Sequence, residues 1–509
     1  MFKGQEELEL TEGGIAKPLF FLSLPIVVTN LLQTAYNLAD TFWLGQYSTE
    51  ALAAISFAFP MVFLLISLGL GLSVAGSVLV AQNTGAGDER AAEYAASQTV
   101  TFSFVAAIVL GIAGYFFVDD LLAFFGASPG VLDAATSYMQ IVSLGLPLMF
   151  GFFIFISLMR GYGDTITPML VMLGTVVVNI ALDPFLIFGW GVGPLTLPFV
   201  GWTVGPVVFP ELGITGAAYA TVFSRGLAMV VGMAIMLSGT RGVKIRLADM
   251  RPDPVYLRKI LRIGVPASIE GTGRALSVNL LLIVVGMFPK VVVAGFGIGI
   301  RVFSVIFLPA IAVARGVETM AGQNIGADQP DRAEASADFA AKAMFLVLGA
   351  AGVLIFLVPE PIVSVFTPDQ AVVDVGAEFL RYVALTFGFI GVMRAYTGAF
   401  RGAGKTLVAA AIAITFLGFI RLPIAWLLSQ GIGGAVTLFG YTVQVPQLLA
   451  PMGPPGIWWG FVVSNVAGAV IALAWYKRGT WRDADVRGGP GPAPGPEADD
   501  VEAAATDDD

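Results

Sequence analysis

Three carboxylates stand inside apolar runs long enough to cross a bilayer: Asp40 in NLADTFWLG, Asp183 in NIALDPFLIFG and Glu270 in GVPASIEGTGRALSVN. A charge at the centre of a membrane costs about 2.5–3.5 kcal/mol on insertion scales, so each needs a partner or a task. Helical spacing supplies candidates. Gln33, Asn37 and Asp40 are seven and three residues apart and share a face of a first helix, while Asn179 and Asp183, four apart, share a face of a fifth. Pro184 cannot donate its amide, which leaves the carbonyl of Ile180 unpaired or bent aside next to the carboxylate. Polar stripes facing lipid would go unsatisfied, so these two are expected to face each other across a cavity. Two carboxylates brought together in so poor a dielectric readily hold a proton or a sodium ion. Such an ion biases two conformations only if it binds them unequally.

The second half offers less. Arg274 follows Glu270 at i+4, so the two either neutralise each other or form a second polar site. Arg301, Arg315, Arg394 and Arg421 interrupt other helices of that half and are expected to form inter-helix or inter-lobe ion pairs lining water. Tyr36, Phe150, Phe153 and Met159 are packing side chains unless they border the cavity, where they would hold a flat organic cation by cation–π attraction. Histidine and cysteine are absent, which excludes disulfides, thiolate chemistry, imidazole-bound haem or zinc and a histidine proton switch. Coupling chemistry must rest on carboxylates.

These residues are carried by a chain of 509 residues, 57% hydrophobic and 12% charged, too apolar for a soluble protein. Twelve windows have the length of about 20 residues that a spanning helix needs, among them continuous spans expected at 132–159 and 373–400. The N-terminus lacks a basic region and the first apolar run is too long for a signal-peptide core, so it is read as a retained helix. Lys and Arg gather on the side that holds both termini, with Arg241, Lys244, Arg246, Arg251, Arg401 and Lys477 among them, and the other side keeps little beyond Lys290. Both termini are therefore expected in the cytoplasm. The end of the chain is rich in Pro, Gly, Asp and Ala without apolar period, which reads as a disordered tail.

The chain repeats itself. AQNTGAG at 81–87 returns as GQNIGAD at 322–328, RGYGDT at 160–165 as RGAGKT at 401–406, and Pro25 as Pro266, all at an offset of 241 residues. Because the offset spans an even number of helices, the halves run in the same direction: two parallel six-helix repeats about a central cavity. RGAGKT imitates the end of a phosphate-binding loop, but Ala399 stands where GxxxxGK[ST] requires glycine, and the repeat partner of Lys405 is Asp164. ATP binding is not expected. The reading is an all-α integral membrane protein with an N-terminal segment 1–16, an N-lobe 17–240, a linker 241–257, a C-lobe 258–477 and a tail 478–509.

NLADTFWLG, AQNTGAG, LMRGYGDTITPM, NIALDPFLIFG and GAAYAT together resemble multidrug and toxic compound extrusion (MATE) transporters, specifically the prokaryotic damage-inducible branch, over residues 11–477. The resemblance implies a twelve-helix fold of two lobes and export of cationic, lipophilic compounds in exchange for protons or sodium. It implies an ion site of Asp40, Asn179, Asp183 and Thr221, with Gln33 and Tyr36 nearby, and a bend of helix one at Pro25. Two features depart from the family pattern. The segment GWGVGPLTLPFVGWTVGPVVFPEL lengthens the loop after helix five, and other branches place a second-lobe acidic site further along helix seven than Glu270. The expectation is a monomeric rocker-switch antiporter in the plasma membrane. Asp40 and Asp183 couple the ion, Asn179 and Thr221 are neutral ligands, and Gln33, Tyr36, Asn37, Phe150, Phe153 and Met159 border the cavity. Pro25 and Pro184 serve as hinges, and no cofactor, metal, ATP or nucleic acid takes part. The alternative is a flippase for a lipid-linked precursor.

Overall fold

The computed structural model describes residues 9–124, 129–192, 195–196, 203–204, 207–438, 441–484 and 486. Its helices are α1 (Ala16–Tyr47), α2 (Thr49–Gly85), α3 (Glu89–Phe124), α4 (Pro129–Leu144), α5 (Leu146–Tyr162), α6 (Ile166–Phe188) and α7 (Ile214–Ser238) in the first half. The second half has α8 (Pro254–Gly286), α9 (Lys290–Gly326), α10 (Pro330–Leu357), α11 (Pro359–Ser364), α12 (Gln370–Ala384), α13 (Phe387–Gly402), α14 (Thr406–Ile414), α15 (Leu422–Gln430) and α16 (Pro454–Lys477). Ten helical stretches are long and apolar enough to span a membrane, α14 and α15 counting as one through a π-helical turn at Thr415–Arg421. Two more spans are bent pairs. α4 and α5 meet at 56° and α12 and α13 at 53°, where unbroken helices were expected. The first break has a local cause: Pro147 in the first turn of α5 has no amide to continue α4.

The repeat extends to the helix ends. α2 begins at Thr49 and α9 at Lys290, and they end at Gly85 and Gly326, the same offset of 241 residues. The turns repeat as well. Gly163 and Gly404, with φ 108° and 71°, close α5 and α13 in left-handed conformation, and the next amide, of Asp164 or Lys405, donates to the carbonyl of Met159 or Phe400. That turn is what RGxGxT encodes. Asp164 then caps α6, accepting from the amides of Ile166 and Thr167. The first five residues of AQNTGAG and of GQNIGAD form the last turn of α2 and of α9.

The apolar core forms in both lobes and crosses between them, with Leu19 of α1 in the second-half core and Ile260 and Ile263 of α8 in the first, while large side chains such as Phe116, Leu346, Leu354 and Phe419 stay exposed, as lipid-facing residues do. After α6 the chain forms short antiparallel pairings, β1 (Trp190–Val192) with β4 (Val207–Phe209) and β2 (Leu195–Thr196) with β3 (Thr203–Val204). A hairpin of β5 (Ile432–Leu438) and β6 (Tyr441–Leu449) stands at the equivalent place after α15. The first was expected as a lengthened loop, and the second was not expected. Tyr47 Oη donates to Glu211 Oε1 at 3.1 Å, pinning the base of the first.

The tail starts later than expected. Trp481 is fully buried and stacks on Tyr476 at 4.5 Å, and Arg482 pairs with Asp331 and Glu334. Residues 487–509, also expected to be disordered, lie outside the described residues.

The linker between the lobes is anchored at Asp253, which caps α8 through the amides of Val255 and Tyr256 and accepts from Tyr94 Oη at 2.9 Å. Burial pushes the Asp253 carboxyl up, but the Tyr94 hydroxyl and the two amides outweigh it, and the net effect is downward. A carboxylate with a depressed pKa stabilises the fold above its unfolded-state pKa, and that contribution is lost as pH falls through the folded-state value. Asp253→Ala is therefore expected to cost about 1 kcal/mol at neutral pH. In thermal unfolding, the gap from wild type should close as the pH drops below the ordinary carboxylate range.

Candidate functional site

Asp40 and Asp183 meet. α1 packs along α6, and α6 along α7, which brings Asp40, Asn179, Asp183 and Thr221 into one buried cluster, with Asn179 and Asp183 wholly inaccessible. Asn179 Nδ2 donates to Asp183 Oδ1 at 3.2 Å, and Thr221 Oγ1 approaches Asp40 Oδ2 at 3.5 Å. The carboxylates of Asp40 and Asp183 are close enough to interact directly. Yet Asp40 Oδ1, Asp183 Oδ2 and Asn179 Oδ1 are buried without a donor among the described residues. Such acceptors are costly unless something positive sits between them. All the ligating atoms are hard oxygens, which suit a proton or a sodium ion.

Gln33 and Asn37 continue the stripe as expected: Gln33 Nε2 donates to Asn37 Oδ1 at 3.0 Å. Gln33 Oε1 in turn accepts from Arg225 Nη2 at 2.7 Å, and the guanidinium lies 4.6 Å from the Tyr36 ring and 5.4 Å from that of Phe153. Tyr36 Oη meets Ser224 Oγ at 3.3 Å. Arg225 had not been picked out from the sequence, although the signal was there, a lone charge one turn after Thr221 in an apolar helix. A resident cation already covers Tyr36 and Phe153, so an organic cation would have to compete for these rings. Phe150 and Met159 are not at the site. Phe150 packs against Gly69 beside Ala107 and Leu146, and Met159 against Gly242 in the lobe core.

In the second half Glu270 pairs with Arg274 at 3.2 Å and, more closely, with Arg401 at 3.0 Å. Arg401 Nε also reaches Glu318 at 3.1 Å, and Glu318 pairs with Arg315 at 2.8 Å. The result is an alternating ladder, Arg274–Glu270–Arg401–Glu318–Arg315, at the junction of α8, α9 and α13. Arg401 was expected among the residues of the terminal side, but it is 4% exposed because RGAG closes α13 inside the lobe contact. Glu318 was missed because ARGVETM lies where the span was expected to end. Of the other arginines expected in ion pairs, Arg301 is exposed and has none among the described residues. Arg421 is held by neutral groups, Ser464 Oγ at 2.9 Å and Asn465 Oδ1 at 2.7 Å. Removing one member of a buried ion network leaves its partners charged and unpaired, at a cost of about 3–5 kcal/mol. Arg401→Gln should accordingly lower the thermal unfolding midpoint of the detergent-purified protein sharply, and Arg401→Gln with Glu270→Gln should recover part of the loss. An unchanged midpoint in the single variant would contradict the ladder.

The lobes are joined on the side that holds both chain ends, and the joint obeys the repeat. Gln82 Nε2 donates to the carbonyl of Gly402 at 3.0 Å, and its repeat partner Gln323 donates to that of Gly161 at 3.1 Å. Gly85 and Gly326 let the backbones cross: a Cβ on either would lie 1.9 Å from the carbonyl oxygen of Gln323 or Gln82. The amide of Val486 donates to Gln82 Oε1 at 3.1 Å, and Asn324 Nδ2 to the carbonyl of Leu10 at 3.1 Å, so both chain ends brace the joint.

Two repeat-related lobes of membrane-spanning helices, closed on one side and enclosing buried polar groups, define a multi-pass membrane transport protein rather than an enzyme. The chain belongs to the MatE family, whose profile matches it twice, over residues 25–185 and 266–427. A probable multidrug resistance protein of Bacillus subtilis (strain 168), YoeA, is 28% identical over 411 residues, 80% of this chain and 85% of its own length. An FAD transporter of Shewanella oneidensis is 26% identical over 416 residues, 82% of this chain and 88% of its own. The structure reported as "Crystal structure of MATE in the bent conformation" has the same fold, with a TM-score of 0.80 at 24% identity over 94% of this chain and 98% of the other. These relatives assign the family and not the damage-inducible branch within it.

Proposed function

We propose that this protein is a secondary active efflux antiporter of the plasma membrane that exports cationic or lipophilic compounds in exchange for protons or sodium. The observation that carries the reading is the meeting of three buried oxygens without a donor among the described residues, on Asp40, Asp183 and Asn179, between two helices of one lobe. An ion there offsets one of the two negative charges, and its loss leaves two carboxylates repelling each other, which favours any rearrangement of α1 that separates them. Pro25 and Pro184 lie within α1 and α6 at the places where such bending is easiest. The names of the relatives support efflux, with YoeA described as a multidrug resistance protein. The Lys and Arg bias toward the terminal side supports cytoplasmic chain ends, and on that reading the joint at Gln82 and Gln323 seals the inner side and this conformation faces outward. The second lobe has no counterpart of the acidic pair: Leu281 and Ile424 stand at the positions equivalent to Asp40 and Asp183.

The test is efflux of a fluorescent organic cation from proteoliposomes holding the full chain, driven by an imposed pH gradient or by a sodium gradient at fixed pH. One gradient should drive transport and the other should not, and replacing sodium with potassium identifies which. Transport indifferent to both gradients overturns the reading.

A further inference from the structure

The charge of the second lobe does not balance. A cavity of about 120 Å³ between the lobes is bordered by Arg274, Arg315, Arg394, Arg401 and Glu270, with Phe63, Leu70 and Val74 of α2 forming its opposite wall. Both carboxylates of the ladder are already engaged by Arg274, Arg315 and Arg401. Arg394 is surplus. It is 5% exposed, has no hydrogen-bond or ion-pair partner among the described residues, and rests with its guanidinium 4.5 Å from the Phe307 ring. Beside the ladder stands a further arginine, the half-buried Arg160, whose guanidinium donates to Ser157 Oγ at 2.9 Å.

A buried guanidinium without an anion is costly in a membrane interior, and the face of one aromatic ring offsets only part of that. Guanidinium groups present planar forks of N–H donors that match the oxygens of a phosphate. The cavity is too small for a drug-sized molecule, whose sites run to about 300–1,000 Å³, but it admits a single tetrahedral anionic group. The repeat shows that this polarity belongs to the second lobe. At an offset of 241 residues Arg274 stands where the first lobe has Gln33, and Arg394 where it has Phe153. Where the first lobe has a neutral amide and an aromatic ring, the second thus has two guanidinium groups, and that of Arg394 is free of any carboxylate.

We propose that the Arg274–Arg394 pocket binds a phosphate mono- or diester group, with Arg394 as the principal donor. The cargo, or a molecule that enters with it, then carries a phosphate end in the second lobe. This assignment goes beyond the antiport reading and does not depend on it, because none of its residues belongs to the Asp40–Asp183 site.

The experiment is calorimetric titration of the delipidated full-length protein in neutral detergent with inorganic phosphate, glycerol 3-phosphate and a short-chain phosphatidylglycerol. At least one probe should bind saturably, and Arg394→Gln should weaken it about tenfold or more, the loss expected for a charge-assisted hydrogen bond. Arg394→Lys, which keeps the charge, should weaken it less and guards against misfolding of the glutamine variant. The exposed Arg301→Gln should bind as wild type does. Binding of the soluble phosphates identifies a soluble organophosphate as the source, and binding of phosphatidylglycerol alone identifies a lipid headgroup. Absence of saturable binding by all three probes, or equal affinity in wild type, Arg394→Lys and Arg394→Gln, overturns the proposal.

Discussion

Asp183→Asn is expected to abolish ion-driven efflux of an organic cation from proteoliposomes while leaving the protein folded. Asparagine keeps the shape of the side chain and can still meet Asn179, so the helix packing survives. What it removes is the second negative charge. A lone Asp40 beside a neutral amide and Arg225 no longer forms a two-carboxylate site, so its affinity for the ion ceases to change when the helices move. An ion bound equally well in both conformations shifts neither, however tightly it binds. Asp40→Asn should act in the same way. Downhill binding of the organic cation need not vanish with coupling, so binding measured on the same preparation separates a lost coupling site from a lost protein. Coupled efflux at the wild-type rate in Asp183→Asn would sink the mechanism.

The second large effect is expected at the lobe joint, from one methyl group. In Gly85→Ala the new Cβ would lie 1.9 Å from the backbone carbonyl oxygen of Gln323, and backbone cannot swing aside as a flexible side chain can. The seam must open. Overpacking of this kind costs about 1–3 kcal/mol, which moves the ratio of closed to open seam about 5- to 150-fold. Gly326→Ala, its repeat partner, meets the carbonyl of Gln82 at the same 1.9 Å and should produce the same shift. The chain has no cysteine, so two introduced at the exposed Glu89 and Gln329 can carry spin labels without background. Their distance distribution should move outward in either alanine variant, with turnover falling in step. An unchanged distribution would show that the seam is not what closes this side.

Much of this was legible in the residues, because the deciding features are local or strictly periodic. The 241-residue offset fixed two parallel lobes, and spacings of three, four and seven placed Gln33, Asn37, Asp40, Asn179 and Asp183 on facing stripes. What escaped depended on where apolar spans end. α2 and α9 continue as helix through polar residues because those residues are buried against the other lobe; Glu318 sat in the last turn of an expected span and Arg401 one residue past another, although both are inside the protein. Arg225 escaped because a single arginine in an apolar helix has no spacing that names its partner, and Phe150 and Met159 were misplaced because helical spacing does not say which neighbour an apolar side chain meets. Trp481 was a readable signal in the tail, since a tryptophan among charged residues seeks cover, here on Tyr476.

The central claim is that binding of the organic cation and of the coupling ion are linked through Asp40 and Asp183. Proton release tests it most directly if the driving gradient proves to be pH. The purified full-length protein is titrated with the fluorescent cation in weakly buffered detergent solution while the released protons are followed. The account predicts release in proportion to the cation bound by wild type, and none from Asp183→Asn at the same occupancy. If sodium is the driver, the corresponding readout is displaced sodium. Release of the coupling ion from Asp183→Asn equal to that from wild type would contradict it.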